Sequence, residues 1–211
     1  NPYGDFGLGA PDMVDGEPTI LDGMASQSTA DGKTIQAPAS SKIPFAMVTN
    51  FKADTLASLS SFSSLTDLYT QLSTYLPNKH AIYAIKLRGS FNRIKTRAFP
   101  KVNTANIVPL AQMLDKQKFF EQEKVDGTLV GFWIPSYLAG INIAGFHFHF
   151  LSNNMALGGH VLEIISSQNV QVEIAKLEDF IFRIPDNASY KRYPFTGENN
   201  SDLKKVEKGE N

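Results

Sequence analysis

The segment FHFHF, residues 146–150, alternates phenylalanine with histidine. Successive side chains of a β-strand point to opposite faces, so this pattern predicts a strand with His147 and His149 on one face and three phenylalanines on the other. Two residues of strand span about 6.6 Å, and both imidazoles can lean onto one metal ion at about 2.0–2.1 Å from each nitrogen. The segment therefore predicts a sheet with one apolar face and one candidate metal-binding face.

A third histidine, His160, follows after the turn signals at 152–154 and 158–159. A returning strand would place it beside His147 and His149. A single histidine in an apolar strand is usually a hydrogen-bonded core residue, but burying several imidazoles without partners is costly, so three together favour a shared metal. Three protein nitrogens leave a position open for substrate, as in catalytic sites. Zinc is expected first, and an all-nitrogen site also suits Mn, Fe or Ni.

Composition narrows the class of protein. The chain has 211 residues, of which 42% are hydrophobic, and this is enough for a sizeable core and argues against a disordered regulator. A net charge of -1 provides no cationic field, so nucleic acid and anionic lipid are not expected partners. Cysteine is absent, which excludes a thiolate nucleophile and Cys-ligated zinc. The aromatic content of 11% would permit an apolar surface for a homodimer.

The stretch between Asp126 and Glu163 contains no Asp, Glu, Lys or Arg, and it is long enough for a membrane-spanning helix. Its many Gly and Asn residues and Pro135 are poorly suited to an isolated helix in lipid, so we predict buried strands and no membrane contact. The first residues lack the basic and apolar regions of a secretory signal. A cytoplasmic location is therefore expected.

The N-terminal part, residues 1–115, is predicted to combine short hairpins with one helix. Asp-Gly turn signals recur at 15–16, 22–23 and 31–32. Apolar residues at three- and four-residue spacing over 56–75 predict a helix, in which Ser64 and Asp67 resemble a capping box. Two strands are expected at 81–87 and 91–98, on either side of Gly89.

The C-terminal part, residues 116–211, is predicted to be β-rich and to end in a polar tail. A hairpin is expected at Asp126-Gly127, with strands near 128–134, 144–151, 159–166, 170–175 and 178–184. The predicted fold class is α+β: a mixed β-sheet with a helix in the N-terminal half, and a barrel-like or antiparallel C-terminal half carrying the metal site.

Two charged positions have open interpretations from local sequence. Arg93, Lys95 and Arg97 alternate and should share one strand face, which is either a solvated face or the place where a guanidinium fork pairs with a substrate carboxylate. Glu17 follows a predicted turn and, by itself, fits an exposed hairpin residue.

Several segments together are similar to one family. They are GDFGLG at 4–9, VDGE at 14–17, LDG at 21–23, KTR at 95–97, GFHFHFLSNN at 145–154 and GGHVL at 158–162. This combination resembles α-acetolactate decarboxylases over about residues 4 to 185. The chain departs from the family pattern at Ala10, where a threonine is usual.

The resemblance implies a zinc-dependent carboxy-lyase that converts 2-acetolactate, a 2-hydroxy-3-keto acid, to acetoin and CO₂. It implies that His147, His149 and His160 hold zinc and that Arg97 and Glu17 face the substrate. Glu207, in the segment KVEK at 205–208, matches a glutamate that family members use near the C-terminus.

The residue types suit this chemistry. Decarboxylation of a β-keto acid needs stabilisation of the electron pair that CO₂ leaves behind, and zinc would stabilise the enediolate as a Lewis acid. Arg97 would orient the anionic substrate. Glu17 would protonate the enediolate, with Glu207 as the other candidate. No organic cofactor is required.

Two other functions remain open. A cupin-type metal oxygenase or isomerase also carries His-x-His on a strand, but it usually has a Glu a few residues further on, and 151–157 contains none. A non-catalytic module would use the histidines to stabilise the fold or to bind a carboxylic acid.

Overall fold

The computed structural model describes residues 3–103 and 110–192, which form two antiparallel sheets. The N-terminal sheet has the order β4-β3-β2-β1-β5. Its strands are β1 (Phe6–Ala10), β2 (Glu17–Leu21), β3 (Met24–Ser28), β4 (Thr34–Gln36) and β5 (Phe45–Thr49). The C-terminal sheet has the order β10-β9-β8-β7-β11-β6. Its strands are β6 (Thr55–Leu59), β7 (Ile82–Ala98), β8 (Lys118–Ile134), β9 (Gly145–Ser152), β10 (Gly158–Ile165) and β11 (Val170–Leu177).

Helices are few in the described residues. They are α1 (Leu65–Ser73), α2 (Ala188–Arg192) and the short 3₁₀ segments Asp12–Val14, Leu110–Lys116 and Ser136–Leu138. No helix in these two ranges combines the length and the apolarity needed to cross a membrane. The predicted α+β class, with a helix in the N-terminal half and a β-rich C-terminal half, is confirmed.

The C-terminal sheet closes on itself, because β10 pairs with β9 on one side and with β7 on the other. Strands β7, β8, β9 and β10 therefore form a ring. In this ring His160 lies opposite His149 on β9 and opposite Arg97 on β7. Cross-strand partners project their side chains on the same side of a sheet, so these three residues share one face.

The two faces of β9 contact different parts of the core. Phe148 and Phe150 belong to the main apolar cluster, which also contains Leu68 and Leu72 of α1. The opposite face of the C-terminal sheet packs against the N-terminal sheet through a second cluster that includes Phe6, Leu8, Val130 and Phe132. The histidine face of β9 is therefore covered by the N-terminal sheet.

The predicted helix over 56–75 is wrong in its first part. Residues 55–59 form β6, which pairs with β11, and only 65–73 are helical. Leu56 is 77% exposed whereas Leu59 is buried, because β6 has two unlike faces. The predicted cap is present: Asp67 donates its backbone N–H to Ser64 Oγ, and its carboxylate accepts from the Ser63 N–H.

The sequence predicted an interruption at Gly89 and a hairpin turn at Asp126-Gly127, and neither is present. β8 runs straight through Asp126-Gly127, opposite Ser90 and Gly89 of an equally continuous β7. Gly127 is required there because a Cβ would collide with the Phe150 ring. Residues 178–184, predicted as a strand, are exposed and form no strand. The division into parts at 115/116 stays a prediction; strands from both sides of it lie in the C-terminal sheet.

Gly131 lies directly against the strand that carries His147 and His149, and replacing it is expected to destabilise the fold. A Cβ at Gly131 would overlap the Phe148 ring and the His147 carbonyl oxygen. Gly131→Ala is therefore expected to lower the free energy of unfolding by about 1–3 kcal/mol, as measured by urea denaturation. Gly89→Ala is the control, since the nearest atoms to its added methyl belong to the Val170 side chain, at 3.1 Å, and the nearest backbone atom is at an ordinary contact distance of 3.6 Å. Equal effects of the two substitutions would contradict this account of Gly131.

Candidate active site

Three imidazoles converge between the two sheets. His147 and His149 come from β9 and His160 from β10, all are buried, and one nitrogen of each lies within 4.8 Å of the others. His160 Nδ1 lies 3.0 Å from His147 Nε2. Nitrogens bound at tetrahedral angles to one zinc ion are about 3.3 Å apart. The three imidazoles could therefore hold one metal ion, with His160 brought beside His147 and His149 by the returning strand, as expected.

The hydrogen bonding of His149 fixes which of its nitrogens is available. Nδ1 lies 2.9 Å from the Pro18 carbonyl oxygen, which can only accept, so Nδ1 carries the proton. Nε2 then presents its lone pair and is buried without a hydrogen-bond partner. Its neighbour Glu17 Oε2, 3.5 Å away, is also an acceptor when ionised. Two lone-pair-bearing atoms that face each other in this way are stabilised by a cation between them. These side chains are therefore suited to binding a metal ion.

Burial keeps two of the imidazoles neutral. It lowers the pKa of His147 to about 3, with the charge of Arg97 as a second cause. Burial also lowers the pKa of His149 well below its ordinary value, and the hydrogen bond to Pro18 opposes this only in part. Both rings are therefore neutral at neutral pH, which is the state that metal coordination requires.

A buried ion pair joins the two sheets beside the histidines. Arg97 Nη1, near the end of β7, donates to Glu17 Oε1 at the start of β2, at 2.5 Å. Arg97 is 3% exposed and Glu17 is 7% exposed. The interpretation of Glu17 as an exposed hairpin residue is therefore wrong, because the C-terminal sheet covers it. Charges so deeply buried are stable only when paired in this way.

The charged face of β7 divides into a solvated part and a covered part. Arg93 forms a bidentate pair with Glu121, and Lys95 pairs with Glu163 at 2.9 Å, both partly exposed to solvent. Arg97 lies on the same face but under the N-terminal sheet. The interpretation as a solvated face therefore holds for Arg93 and Lys95, while the pairing of Arg97 with a substrate carboxylate stays a prediction.

Sequence reasoning missed the neighbours that orient the histidines. Besides the Pro18 carbonyl, Thr19 Oγ1 lies 3.5 Å from His149 Nδ1. Thr96 Oγ1 donates to the Gly158 carbonyl, 3.0 Å away, and so ties the start of β10 to β7. Nothing in the local pattern marks these residues, because their roles depend on how the two sheets pack.

Two further positions of interest lie elsewhere. Glu207 lies outside the described residues. Ala10, where the family pattern has threonine, ends β1 opposite Phe45 of β5. The described site thus consists of three imidazoles that could hold a metal ion and an Arg–Glu pair, both between two sheets, and this combination is typical of the active site of an enzyme.

Comparison with known proteins gives the family. The family model for alpha-acetolactate decarboxylase matches residues 1–197. A protein of Methanosarcina mazei named alpha-acetolactate decarboxylase is 36% identical over 98% of this chain and 71% of its own length. A Brevibacillus brevis protein of the same name is 33% identical, over 97% of this chain and 71% of its own length.

A solved structure agrees with these relatives. The crystal structure of alpha-acetolactate decarboxylase from Bacillus subtilis strain 168 has a TM-score of 0.92 at 27% identity, over 99% of this chain and 88% of that chain. The present chain therefore belongs to the alpha-acetolactate decarboxylase family and is a carboxy-lyase.

Proposed function

We propose that this protein decarboxylates 2-acetolactate to acetoin and CO₂, with zinc held by His147, His149 and His160. The family supports the reaction and the substrate. The observation that carries the metal assignment is the lone pair of His149 Nε2, buried without a partner where three imidazoles converge. Zinc bound there would supply Lewis-acid stabilisation of the negative charge that develops as CO₂ leaves.

Arg97 is the residue proposed to orient the substrate. Its Nη1 is bonded to Glu17, and a guanidinium presents its N–H donors in a planar fork that matches the two oxygens of a carboxylate. β7 and the Phe99 ring, 4.8 Å from the guanidinium carbon, hold the arginine in place. A fixed cation in a site shielded from water stabilises an anionic transition state at little reorganisation cost.

Glu17 is proposed as the proton donor. After CO₂ leaves, the electron pair resides on an enediolate, and a proton must reach carbon to give acetoin. Oε1 is held by Arg97, while Oε2 faces His149. Ionised Glu17 would take the proton of the substrate hydroxyl on Oε2 and return it to carbon on one face of the enediolate, and this would set the configuration of acetoin. The oxygen left as an alkoxide would then take its proton from solvent water. Glu207 remains the second candidate, on the resemblance alone.

An apolar wall adjoins the imidazoles on the opposite side from the Arg–Glu pair. Val130 pairs with His149 and Phe132 with His147 across β8 and β9, and both are buried with Leu8. The substrate has a carboxylate on C2, one methyl group on the same carbon and a second methyl group on the ketone carbon. A site with a cationic side and an apolar side matches that polarity.

Turnover and its metal dependence test this function directly. We expect purified protein to release acetoin and CO₂ from 2-acetolactate, to lose this activity with a chelator, and to recover it with about one equivalent of zinc per chain. Acetoin is measured colorimetrically and metal by mass spectrometry. Metal-loaded protein without turnover would favour the binding module, and O₂ consumption by iron-loaded protein would favour the cupin-type alternative.

A further inference from the structure

The turn before Glu17, residues 11–16, has an unusual backbone. Met13 and Val14 have φ values of 59° and 57°, in the left-handed region. Glycine and asparagine tolerate this region, whereas a β-branched residue such as valine is a clear outlier there. Such a conformation persists only when the surrounding structure enforces it.

The segment that follows Arg97 holds the turn in this conformation. The Val14 side chain packs against a small apolar cluster around Phe99 and Met113, to which Val102 also contributes. The Val102 N–H donates to the Met13 carbonyl at 2.8 Å, and the Gly16 N–H donates to the Phe99 carbonyl at 3.0 Å. The turn before Glu17 is thus fastened to residues two to five positions beyond Arg97.

Gly16 connects the turn to Glu17 and fixes the direction in which the chain continues. Its φ is 92°, and a Cβ there would collide with the Ser28 carbonyl oxygen. The chain therefore leaves the turn in one direction, which brings the Glu17 carboxylate to Arg97. Glu17 and Arg97 lie on different sheets, and this turn is the local connection between them.

We infer that Val14 is a positioning residue that acts through Glu17: its packing on the Phe99–Met113 cluster holds the left-handed turn that aligns the Glu17 carboxylate with Arg97. The inference rests on the proposed role of Glu17. The strained conformation of Val14 is retained because the turn positions the Glu17 carboxylate. A misplacement of about 1 Å in such a group can lower the rate about a hundredfold.

Val14→Gly tests this inference, because glycine adopts positive φ freely and removes the apolar anchor. We expect kcat to fall about tenfold or more with KM changed less than about threefold. Val102→Ala is the matched control: it removes apolar surface from the same cluster and leaves the turn unchanged. Because alanine keeps the backbone hydrogen bond from residue 102 to Met13 and the Val14 side chain stays in place, this control should keep kcat within about twofold of wild type, and Val14→Gly should melt no lower than it.

Two further measurements complete the test. Val14→Ile keeps the β-branched anchor and should retain wild-type kcat. Hydrogen exchange of the Gly16 amide, which is bonded to Phe99, should be faster in Val14→Gly than in Val102→Ala. Unchanged kcat in Val14→Gly, or an equal loss in Val102→Ala, would overturn the inference. If the wild type does not turn over 2-acetolactate, the proposed function fails, and the Gly16 exchange alone decides whether Val14 holds the turn.

Discussion

Replacing His149 with alanine is expected to abolish metal binding and decarboxylation together. His149 is fully buried, pairs with His160 across the ring, and presents Nε2 with its proton held on Nδ1 by Pro18. Loss of a residue that only orients a ligand already costs about 10- to 100-fold in metal affinity, so loss of the ligand should cost more. Bound zinc by mass spectrometry and acetoin release by the same preparation measure both effects.

A matched control separates ligand loss from general damage. His80→Ala removes an exposed histidine outside the cluster and should retain stoichiometric zinc and full activity. His149→Ala also leaves the Pro18 carbonyl without its donor, at a cost of about 1–3 kcal/mol in folding. Circular dichroism must therefore show folded protein, and His149→Gln, which keeps most of the volume, serves as a second variant. A folded variant with one zinc per chain would remove His149 from the ligand set.

Arg97→Lys is expected to reduce kcat/KM by about ten- to a hundredfold, which corresponds to the loss of a charged hydrogen bond of about 1.5–3 kcal/mol, while zinc remains bound. An ammonium keeps the positive charge but cannot bind Glu17 and a carboxylate in the planar geometry of a guanidinium. Steady-state kinetics with 2-acetolactate measure the effect, and metal analysis confirms that the histidine centre is intact.

Arg93→Lys provides the control on the same strand and the same face. Arg93 also forms a bidentate pair with a glutamate, Glu121, but that pair is partly exposed to solvent. Exposed ion pairs contribute about 0–1 kcal/mol, so its kinetics should stay within about twofold of wild type. Near wild-type kinetics in Arg97→Lys would remove Arg97 from the substrate site.

The sequence was sufficient for features that depend on local periodicity. Alternation in FHFHF placed His147 and His149 on one face and the phenylalanines in the core, and the structure agrees. The Ser64–Asp67 cap likewise depends on residues three positions apart. By contrast, the helix was predicted too long and Gly127 was mistaken for a turn, since apolar spacing is ambiguous in short segments and a glycine can serve packing as well as turning.

The sequence by itself determined the three candidate metal-binding histidines, the strand that carries two of them and the family resemblance. Only the tertiary structure decided which charged residues meet them. Glu17 and Arg97 are 80 positions apart and lie on different sheets, and they are buried together because the N-terminal sheet covers one end of the ring. The strained Val14 turn is also tertiary in origin, since no local preference places valine at positive φ. Burial, pairing and strain arise from contacts between distant segments, which periodicity along the chain does not encode.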